Sequence, residues 1–345
     1  MKEKRKICIL GPVATPTYFG GVAVFDTELG TAFQNIGWEV QLLTEQNDAV
    51  HSDIVKRISN TRELRKLIGS FDPDYILASL NYGKYFSSLK DSNKKIYFLH
   101  GYFVRNYYGF AKSVIAPEYQ KRLCARADFV FSNSYFTSAI NEDFFDIKSD
   151  AVFHLAASHD FIDSLSENNA RKKNTVFFAG RFVSVKRVME LVNAARYLQK
   201  SGIDYEIYLA GDGEKGEEIE KTINQSDLKI TLLGRVEHTE IQKYYQKSDV
   251  FVSLNEAEPF GITFVEALLC GCKIICPYTG GQVEYLKDYP QTFFVNQSDP
   301  KDIADKIIQA FQMDEVPKIT QKDIDYFSYE RVAQEMISYL ERHGN

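Results

Sequence analysis

Short apolar runs alternate with stretches of helical periodicity along most of the chain. Apolar runs bounded by Gly, Pro or polar clusters are typical of buried strands, and apolar residues three and four positions apart are typical of helices. The pattern predicts a strand, a helix and a second strand at 7–10, 22–37 and 40–43, and a similar opening at 175–180 and 187–200. Strands that alternate with helices indicate α/β domains with parallel sheets.

The same pattern predicts further elements in both halves of the chain. The predicted strands are 75–78, 96–99, 128–134, 151–155, 205–210, 230–236, 250–254 and 274–276, and the predicted helices are 118–127, one from about Thr263 to Gly271, 300–313 and 329–343. Periodicity fades over 156–174 as Ser, Asn, Asp, Arg and Lys accumulate, which indicates a linker. We therefore predict an N-terminal domain at 1–156, a linker at 157–174, a C-terminal domain at 175–325 and a last helical segment at 326–345.

Composition fits this division and narrows the class of protein. A chain of 345 residues is long enough for two average domains. Five Cys without a CxxC pair or metal-ligand spacing indicate a reduced, cytoplasmic protein. The basic start precedes only Ile7–Leu10 before Gly11, too short for a signal core, and no stretch approaches the roughly 20 apolar residues of a membrane span. The net charge is −6, and we predict no nucleic-acid partner.

The segment that follows the apolar run 250–254 has the most informative pattern. An acidic loop ending at Glu258 leads through Pro259 and Gly261 into the predicted helix. The first turn of a helix has unpaired N–H groups and a partial positive charge, where an anion or sugar hydroxyls can bind. Glu266, eight positions after Glu258, is predicted in or near that turn, so both carboxylates can face one pocket. Carboxylates accept paired hydrogen bonds from neighbouring hydroxyls.

Each carboxylate also has an ordinary interpretation, Glu258 as a solvated loop acid and Glu266 as a favourable charge near a helix start. The order Glu-Pro-Phe-Gly, Glu-Ala, Gly from Glu258 to Gly271 favours a site. This order closely resembles the signature of family 4 of the retaining GT-B-fold glycosyltransferases. The resemblance implies two Rossmann-like domains facing across a cleft, the first binding the acceptor and the second the nucleotide sugar. It also implies a C-terminal helix that crosses back to the first domain.

Two cations follow the strand predicted at 175–180. Arg181 and Lys186 lie in the loop before the next helix, where a guanidinium fork and a compact ammonium suit a diphosphate. Taken alone, such a pair is ordinary surface charge, and alanine there is expected to leave the melting temperature nearly unchanged. The spacing Gly-Arg-x4-Lys resembles the diphosphate site of the same family. Arg187 departs from that pattern, because many relatives carry Gly at this position.

Several glycine turns complete the predicted donor site. Gly20-Gly21 precedes the first long helix and allows close backbone approach to a phosphate, although a plain turn explains it too. The resemblance implies backbone contacts to the donor through residues at the ends of strands and at helix starts, with the nucleobase near Val236. The implied residues are Gly20, Gly21, Gly180, Gly211, Val236, Phe260, Gly261, Ile262, Gly280 and Gly281.

Three features of the N-terminal half bear on the site. His100 ends the strand 96–99 at the carboxyl edge, where α/β sheets bind ligands, and the resemblance implies that it contacts the donor sugar. The aromatic segment 102–110 suits sugar faces or lipid of an acceptor, or simple packing. Asp72 and Asp74 have the Asp-x-Asp spacing of metal sites, but they flank Pro73 before a strand, which favours a turn. We predict no metal site.

The sequence thus predicts a retaining, metal-independent hexosyltransferase that needs no cofactor. Its donor is expected to be a nucleoside-diphosphate sugar, with UDP as the nucleotide, and its acceptor a hydroxyl of a carbohydrate, a lipid-linked molecule or a small molecule. Arg181 and Lys186 would stabilise the leaving diphosphate, Glu258 would hold the sugar and Glu266 the ribose. The expected process is cell-surface polysaccharide or glycoconjugate synthesis in the cytoplasm, with peripheral contact at the inner membrane face through the N-terminal domain.

Other functions and another mechanism stay open at this point. A nucleotide-sugar epimerase of the same fold, or a nucleotide-sugar-binding protein without turnover, would need the same pocket. An NAD-dependent dehydrogenase is disfavoured because the segment 11–16 lacks the Gly-x-Gly-x-x-Gly pattern. Retention is compatible with a double displacement through Glu258 or with attack on the same face as the departing phosphate.

Overall fold

The computed structural model describes residues 5–15, 20–49, 53–103, 105–166 and 170–344, with the side chains of 105–113, 166 and 238–239 excepted. The chain forms two compact units. Unit 1 comprises the residues up to His159 together with those from Tyr326 onward, and unit 2 comprises Asp160–Asp325. Among the described residues, the helices are all too short or too polar to cross a membrane.

Unit 1 contains a seven-stranded parallel sheet. Its strands are β1 Lys6–Leu10, β2 Glu39–Thr44, β3 Val55–Arg57, β4 Tyr75–Ser79, β5 Lys94–Leu99, β6 Phe129–Ser132 and β7 Ala151–Val152. Its first helices are α1 Gly21–Asn35, α2 Thr61–Phe71, α3 Arg105–Cys124 and α4 Tyr135–Phe145. Helix α5 His159–Asp163 begins at the last residue of the first segment of this unit and continues into unit 2. The strand order is β3-β2-β1-β4-β5-β6-β7, so the connections reverse direction between β1 and β4.

Unit 2 contains a six-stranded parallel sheet in the order β10-β9-β8-β11-β12-β13. Its strands are β8 Thr175–Ala179, β9 Glu206–Ala210, β10 Ile230–Gly234, β11 Val250–Val252, β12 Lys273–Pro277 and β13 Thr292–Val295. Its helices are α6 Val188–Lys200, α7 Gly216–Asn224, α8 His238–Lys247, α9 Ile262–Leu269, α10 Val283–Leu286, α11 Pro300–Phe311 and α12 Gln321–Tyr326. The order reverses between β8 and β11, and such reversals are where doubly wound sheets bind ligands.

Both sheets are buried, as their sequences predict. All residues of β4, β8 and β12 are buried, which explains why these strands read as continuous apolar runs rather than alternating ones. The last helix, α13 Tyr329–His343, packs against α1 within unit 1. Helix α13 buries residues at intervals of three and four, so one stripe faces the core, whereas α1 buries a wider face that includes Asp26.

Several predicted bounds differ from the observed ones. The helix predicted at 118–127 is the end of α3, which begins at Arg105 and continues through Pro117. Proline lacks an N–H group and usually interrupts a helix, but here the helix continues on both sides of Pro117. The segment predicted as a linker contains α5 and a 3-10 turn at Ser164–Ser166. The helix end at Gly271 is confirmed, because this residue follows the C-cap of α9 with φ +76°.

Candidate functional site

The loop after β8 carries both predicted cations. Gly180 has φ +155°, a conformation that favours glycine, and its N–H donates to the carbonyl of Ala210 at 3.0 Å. Arg181 follows with an exposed side chain. A 3-10 turn at Ser184–Lys186 then leads into α6, so Lys186 lies directly before the helix. The strand, loop and helix predicted from the sequence are therefore present around the cations.

Lys186 and Glu258 form the central ion pair of unit 2. The Lys186 Nζ atom lies 2.6 Å from Glu258 Oε2, and the two side chains are 20% and 15% exposed. Asn255 Nδ2 donates to the same oxygen at 2.7 Å. Burial alone would raise the pKa of Glu258, but the Lys186 charge and these hydrogen bonds outweigh it and hold the pKa below its usual value, with a contribution from Arg181. Glu258 is therefore an ionised carboxylate.

The backbone around Glu258 is fixed by two glycine turns. The Gly281 N–H donates to the Glu258 carbonyl at 2.8 Å. Gly280 has φ +112°, and an added Cβ atom would lie 3.0 Å from that carbonyl oxygen. On the other side of Glu258, Gly261 has φ +88°, and an added Cβ atom would lie 2.6 Å from the Phe264 ring. A side chain at either glycine would displace the loop that carries Glu258.

Helix α9 begins directly after this loop. Gly261 is its N-cap residue and has no side chain to cap the first turn. Within the described part of the chain, the N–H groups of Gly261 and Ile262 donate no hydrogen bond. The Tyr285 hydroxyl donates to the Gly261 carbonyl at 2.9 Å, and Phe260 is buried against the Tyr285 ring. Contacts with Tyr285 thus fix the loop, and the N–H groups of Gly261 and Ile262, close to Glu258 in the chain, are available to a ligand.

Glu266 lies near the first turn of the helix, as the sequence predicted. It is the fifth residue of α9, so it falls just after the first turn, and it is buried. The Tyr245 hydroxyl donates to Glu266 Oε2 at 2.9 Å. Burial and the neighbouring Glu266 charge raise the pKa of Tyr245 well above its ordinary value, so Tyr245 stays a donor. This tyrosine, on α8, was not a predicted site residue, and no local motif marks it.

Arg187, the residue that departs from the family pattern, has partners of its own. It has φ +48°, a left-handed conformation that is uncommon outside glycine. Its Nη2 atom lies 3.1 Å from Glu256 Oε2, and its Nη1 atom lies 3.3 Å from Glu190 Oε1. Gln297 Nε2 also donates to Glu256 at 2.5 Å. Arg187 thus ties the loop of Lys186 to the loop of Glu258.

The turns at the ends of β9 and β10 pack closely on the Gly180 loop. The Gly211 N–H donates to the Gly234 carbonyl at 2.7 Å. An added Cβ atom on Gly211 would lie 1.9 Å from the Gly180 carbonyl oxygen, so only glycine fits there. Val236 lies half-buried in the loop that follows β10. The structure therefore gives Gly211 a packing reason for being glycine.

In unit 1, His100 lies at the carboxyl end of β5 as predicted. It is half-buried, with the rings of Phe25 and Phe98 each 4.8 Å from its own ring centroid. Its Nε2 atom lies 2.9 Å from Ser79 Oγ, and Ser79 Oγ lies 2.6 Å from Asp26 Oδ1. Burial lowers the pKa of His100 to about 3, so the ring is neutral. Ser79 and Asp26 are partners that the sequence did not suggest.

The other predicted features of unit 1 are only partly within the described residues. Gly20 is the N-cap of α1, and its carbonyl accepts from Val24 N at 3.0 Å, while Gly21 is exposed. In the aromatic segment 102–110, residue 104 and the side chains of 105–110 lie outside the described residues. Asp72 is the left-handed C-cap of α2, and Asp74 Oδ2 accepts from Lys6 N at 2.8 Å, so both have structural roles.

The unit 2 site combines two cations, an ionised carboxylate and free backbone donors at one edge of the sheet. Such an arrangement can bind an anionic group beside a polyhydroxyl group. Over the residues that the structure describes, no cluster of three or more His, Cys, Asp or Glu could hold a metal ion.

Comparison with known proteins gives relatives that are similar to less than half of this chain. An uncharacterized glycosyltransferase of Methanocaldococcus jannaschii is 29% identical over 45% of this chain and 43% of the relative. A GalNAc-alpha-(1->4)-GalNAc-alpha-(1->3)-diNAcBac-PP-undecaprenol alpha-1,4-N-acetyl-D-galactosaminyltransferase of Campylobacter jejuni is 28% identical over 43% of this chain and 41% of the relative. The chain thus spans less than half the length of these relatives.

Similarity to solved structures covers nearly the whole chain. HepE of Anabaena, solved in complex with UDP, matches with a TM-score of 0.72 and 18% identity over 98% of this chain and 100% of that chain. This match and the two parallel sheets confirm the predicted GT-B fold class. The family model for glycosyl transferases group 1 matches residues 161–329, which contain Arg181, Lys186, Glu258 and Glu266. The matched part, just under half of the chain, is thus similar to the group 1 family of glycosyl transferases.

Proposed function

We propose that the protein is a retaining glycosyltransferase that moves a hexose from a nucleoside-diphosphate sugar to a hydroxyl acceptor. The observation that carries the proposal is the Lys186–Glu258 ion pair, with Asn255 on the same carboxylate oxygen and Arg181 in the same loop as Lys186. A phosphate-binding cation is thereby in contact with a carboxylate that can hold sugar hydroxyls. The two groups needed at a sugar–phosphate bond are 2.6 Å apart.

The cations would act on the leaving group. An ammonium has three N–H donors, so Lys186 can keep its contact with Glu258 while it also donates to a phosphate oxygen. Arg181 is exposed and can add a planar fork to the same diphosphate. Both charges favour the departing nucleoside diphosphate more than the intact donor, because negative charge grows on it as the bond breaks. We propose that they make the reaction independent of metal ions.

Glu258 and the start of α9 would hold the sugar. Glu258 Oε2 is occupied by Lys186 and Asn255, whereas Oε1 has no hydrogen-bond partner in the described part of the chain. Oε1 and the N–H groups of Gly261 and Ile262 can bind hydroxyls on one face of the ring. A carboxylate engaged in this way orients the sugar and is poorly placed as a nucleophile. We therefore favour same-face attack, with the leaving phosphate accepting the acceptor's proton.

The remaining residues of the candidate site are proposed to contact other parts of the donor. Glu266, oriented by Tyr245, would hold the ribose hydroxyls. Gly20-Gly21, Gly180, Gly280-Gly281 and the region of Val236 would contact the rest of the donor, and His100 would contact a sugar hydroxyl. UDP is proposed as the nucleotide, in line with the complex of HepE.

The acceptor is proposed from the relatives. The similar Campylobacter jejuni enzyme is named for a polyprenol-linked sugar acceptor. A carbohydrate, lipid-linked or small-molecule hydroxyl is therefore proposed here, bound through the N-terminal unit. The proposed setting is cell-surface polysaccharide or glycoconjugate synthesis at the inner face of the membrane.

Donor binding tests the proposal first. A panel of nucleotide sugars is screened by calorimetry and by thermal shift, and a donor at 100 times its Kd should stabilise the protein by about 2.7 kcal/mol. Lys186→Ala should weaken binding, whereas Lys229→Ala, which removes an exposed lysine paired with Asp204, should not. The absence of binding for every donor, or equal loss in both variants, would contradict the proposed site.

Turnover separates the proposal from its alternatives. Donor consumption in the presence of candidate acceptors and excess EDTA should yield a glycosylated product with the donor's anomeric configuration. Free epimerised sugar would indicate an epimerase, and tight binding without consumption would indicate a binding protein. Loss of activity in EDTA that Mg²⁺ restores would contradict metal independence.

A further inference from the structure

A buried hydrogen-bond chain runs from α1 to the exposed edge of the unit 1 sheet. Asp26 on α1 lies against Ser79 at the end of β4, and Ser79 lies against His100 after β5. Asp26 and Ser79 are 0% exposed, whereas His100 is only half-buried. Because Nε2 of His100 faces Ser79, Nδ1 is the ring nitrogen left for a ligand. The chain therefore links a fully buried carboxyl to a group that a ligand can reach.

The surroundings of Asp26 disfavour a charged carboxylate. Oδ2 of Asp26 has no hydrogen-bond partner in the described part of the chain, and it lies against Gly11, where an added Cβ atom would be 1.9 Å away. Among the described residues, the hydrogen-bond partner of its other oxygen is a serine hydroxyl. Burial raises the pKa of Asp26 well above its ordinary value, and the hydrogen bond from Ser79 opposes this only in part. A neutral carboxyl is the form that this site tolerates.

The protonation state of Asp26 sets the donor and acceptor of each hydrogen bond from Asp26 through Ser79 to His100. If Asp26 were ionised, the Ser79 hydroxyl would donate to it and His100 Nε2–H would donate to Ser79, which would leave a lone pair on Nδ1. If Asp26 is neutral, its proton finds an acceptor on Oδ1, which faces Ser79 Oγ, and finds none on Oδ2 within the described residues. The proton is then donated from Oδ1 to Ser79 Oγ, and Ser79 donates to Nε2. His100 must then carry its proton on Nδ1. The two cases present opposite hydrogen-bonding groups to a ligand.

We propose that Asp26 and Ser79 are positioning residues that hold His100 as a neutral imidazole with an Nδ1–H donor facing the ligand. Such a donor selects an acceptor atom, such as a hydroxyl or phosphate oxygen. That the ligand is a nucleotide sugar rests on the function proposed above, whereas the tautomer of His100 does not. The rings of Phe25 and Phe98 hold the imidazole plane, and the hydrogen-bond chain holds its proton.

Ring nitrogen spectra test the tautomer without any substrate. The protein has six histidines, so ¹⁵N-histidine labelling with two-bond ¹H–¹⁵N correlations gives few signals, and His100→Gln assigns the one that matters. Wild-type His100 should show a protonated Nδ1 and an unprotonated Nε2, unchanged from pH 5 to 8. An Nε2–H tautomer, or a titration within this range, would overturn the proposal. The tautomer is read on the wild-type protein, and His100→Gln serves only to assign its signal.

Two variants and a control examine the residues that act through His100. Asp26→Asn keeps an N–H donor toward Ser79 and should retain the Nδ1–H tautomer, because the amide replaces the neutral carboxyl. Ser79→Ala removes the donor to Nε2 and should mix the two tautomers. Ser132→Ala removes a buried hydroxyl on the neighbouring β6, bonded to Ser149 at 2.8 Å, and should leave the His100 signal unchanged. A switch to Nε2–H in Asp26→Asn, or an unchanged tautomer in Ser79→Ala, would overturn the proposal.

Kinetics then connect the tautomer to the proposed reaction. Ser79→Ala should lower kcat/KM for the donor by roughly three- to tenfold, the effect of one weakened hydrogen bond, and Asp26→Asn should stay within about twofold of wild type. If Ser79→Ala has mixed tautomers and yet an unchanged kcat/KM, the proposal that His100 contacts the donor would be wrong. An Nδ1–H tautomer in a protein without transferase activity would instead contradict the proposed function and leave the hydrogen-bond chain intact.

Discussion

Glu258 and Asp26 are both carboxyl groups in buried surroundings near the edge of a parallel sheet, and their charge states are opposite. Glu258 in unit 2 contacts Lys186 and Asn255, and its pKa is lowered. Asp26 in unit 1 contacts a serine, has one oxygen without a partner, and its pKa is raised. Burial acts in the same direction on both. The partners, rather than the burial, decide which carboxyl is charged.

The same contrast separates two histidines of unit 1. His100 lies between two phenylalanine rings and has a pKa near 3, whereas His159 lies between Glu28 and Glu330 and has a pKa raised to about 9. His100 is thus suited to neutral hydrogen bonding with a ligand, and His159 is a fixed cation. The charged groups of the candidate donor site therefore lie in unit 2, whereas His100 in unit 1 is a neutral hydrogen-bonding group.

Removal of Lys186 should have the largest effect. Each charge-assisted contact with a leaving group contributes about 2–4 kcal/mol to the transition state, by analogy with oxyanion donors, so Lys186→Ala should lower kcat by roughly 10²-fold or more. Arg181→Ala should act similarly. The kcat of purified variants with a saturating donor measures this, with Lys229→Ala as the control. A kcat of Lys186→Ala near the wild-type value would show that Lys186 does not stabilise the leaving group.

The melting temperatures of these two variants should now differ. The sequence predicted almost no change for either. The structure shows Lys186 mostly buried against Glu258, so its removal leaves a carboxylate with fewer partners and should cost about 1–3 kcal/mol. Arg181 is exposed, and its replacement should leave the melting temperature nearly unchanged. Calorimetric unfolding of both variants at the same pH checks the contrast.

Substitution of the two glutamates should change different kinetic constants. Glu258→Gln should mainly lower kcat, because a carboxylate beside the reacting carbon stabilises positive charge as the bond opens. Glu266→Gln should mainly raise the donor KM, because a ribose contact is similar in the ground and transition states. Steady-state kinetics of both variants measure this. Equal effects on KM alone would show that Glu258 is not beside the reacting carbon.

A covalent role for Glu258 predicts a different result. Glu258→Gln would then be inactive, and external azide would capture the sugar with inverted anomeric configuration. Residual activity with full retention would support the orienting role instead. The configuration of the product, measured by NMR, decides between these outcomes.

The cationic His159 should make the stability of unit 1 depend on pH. The hydrogen bond with Glu28 raises its pKa to about 9 against the opposing effect of burial, and Glu330 contributes further. Because the folded pKa lies above the unfolded value of about 6.5, the stabilisation is complete below pH 6.5 and is lost as pH rises through about 9. His159→Gln should therefore lower the free energy of unfolding by about 1–3 kcal/mol at pH 6, after discounting for partial exposure.

The difference between wild type and His159→Gln should shrink above pH 9. Urea unfolding at pH 6 and at pH 10 measures it. His100→Gln is a control of opposite sign, because the pKa of His100 is about 3 in the folded protein and about 6.5 in the unfolded chain, so its contribution to stability becomes more favourable as pH rises from 6 to 10. A constant difference at both pH values would show that His159 is not held as a cation.

The smallest effect is expected for Arg187→Gly. The change removes ion pairs with Glu256 and Glu190, each worth about 0–1 kcal/mol at partly exposed positions. It also relieves a left-handed conformation that costs a non-glycine residue about 1 kcal/mol. The two terms nearly cancel, so kcat and the melting temperature should stay close to those of wild type. A tenfold loss of kcat would assign Arg187 to the diphosphate site.

The sequence was sufficient to predict those parts of the candidate site whose residues lie close together in one segment. The strand, loop and helix around Arg181 and Lys186, and the turn from Glu258 to Gly271, are predicted because turn residues and apolar runs mark them locally. The direct contact of Lys186 with Glu258 follows from the two loops lying at one end of neighbouring strands, β8 and β11.

Contacts between distant segments could not be predicted in this way. Asp26, Ser79 and His100 belong to three separate elements, and no spacing in the sequence shows that they meet. The same holds for Tyr245 and Glu266, on α8 and α9. Buried polar partners are chosen by the tertiary fold, whereas local patterns report only periodicity and turns.

The most direct test of the central claim is the release of nucleoside diphosphate from a nucleotide sugar in excess EDTA, measured for wild type, Lys186→Ala and Lys229→Ala. We expect release by wild type and Lys229→Ala at similar rates, a loss of roughly 10²-fold or more in Lys186→Ala, and retained anomeric configuration in the transferred sugar. Release that is equal in all three proteins, or a donor that binds to wild type without ever being cleaved, would contradict the account.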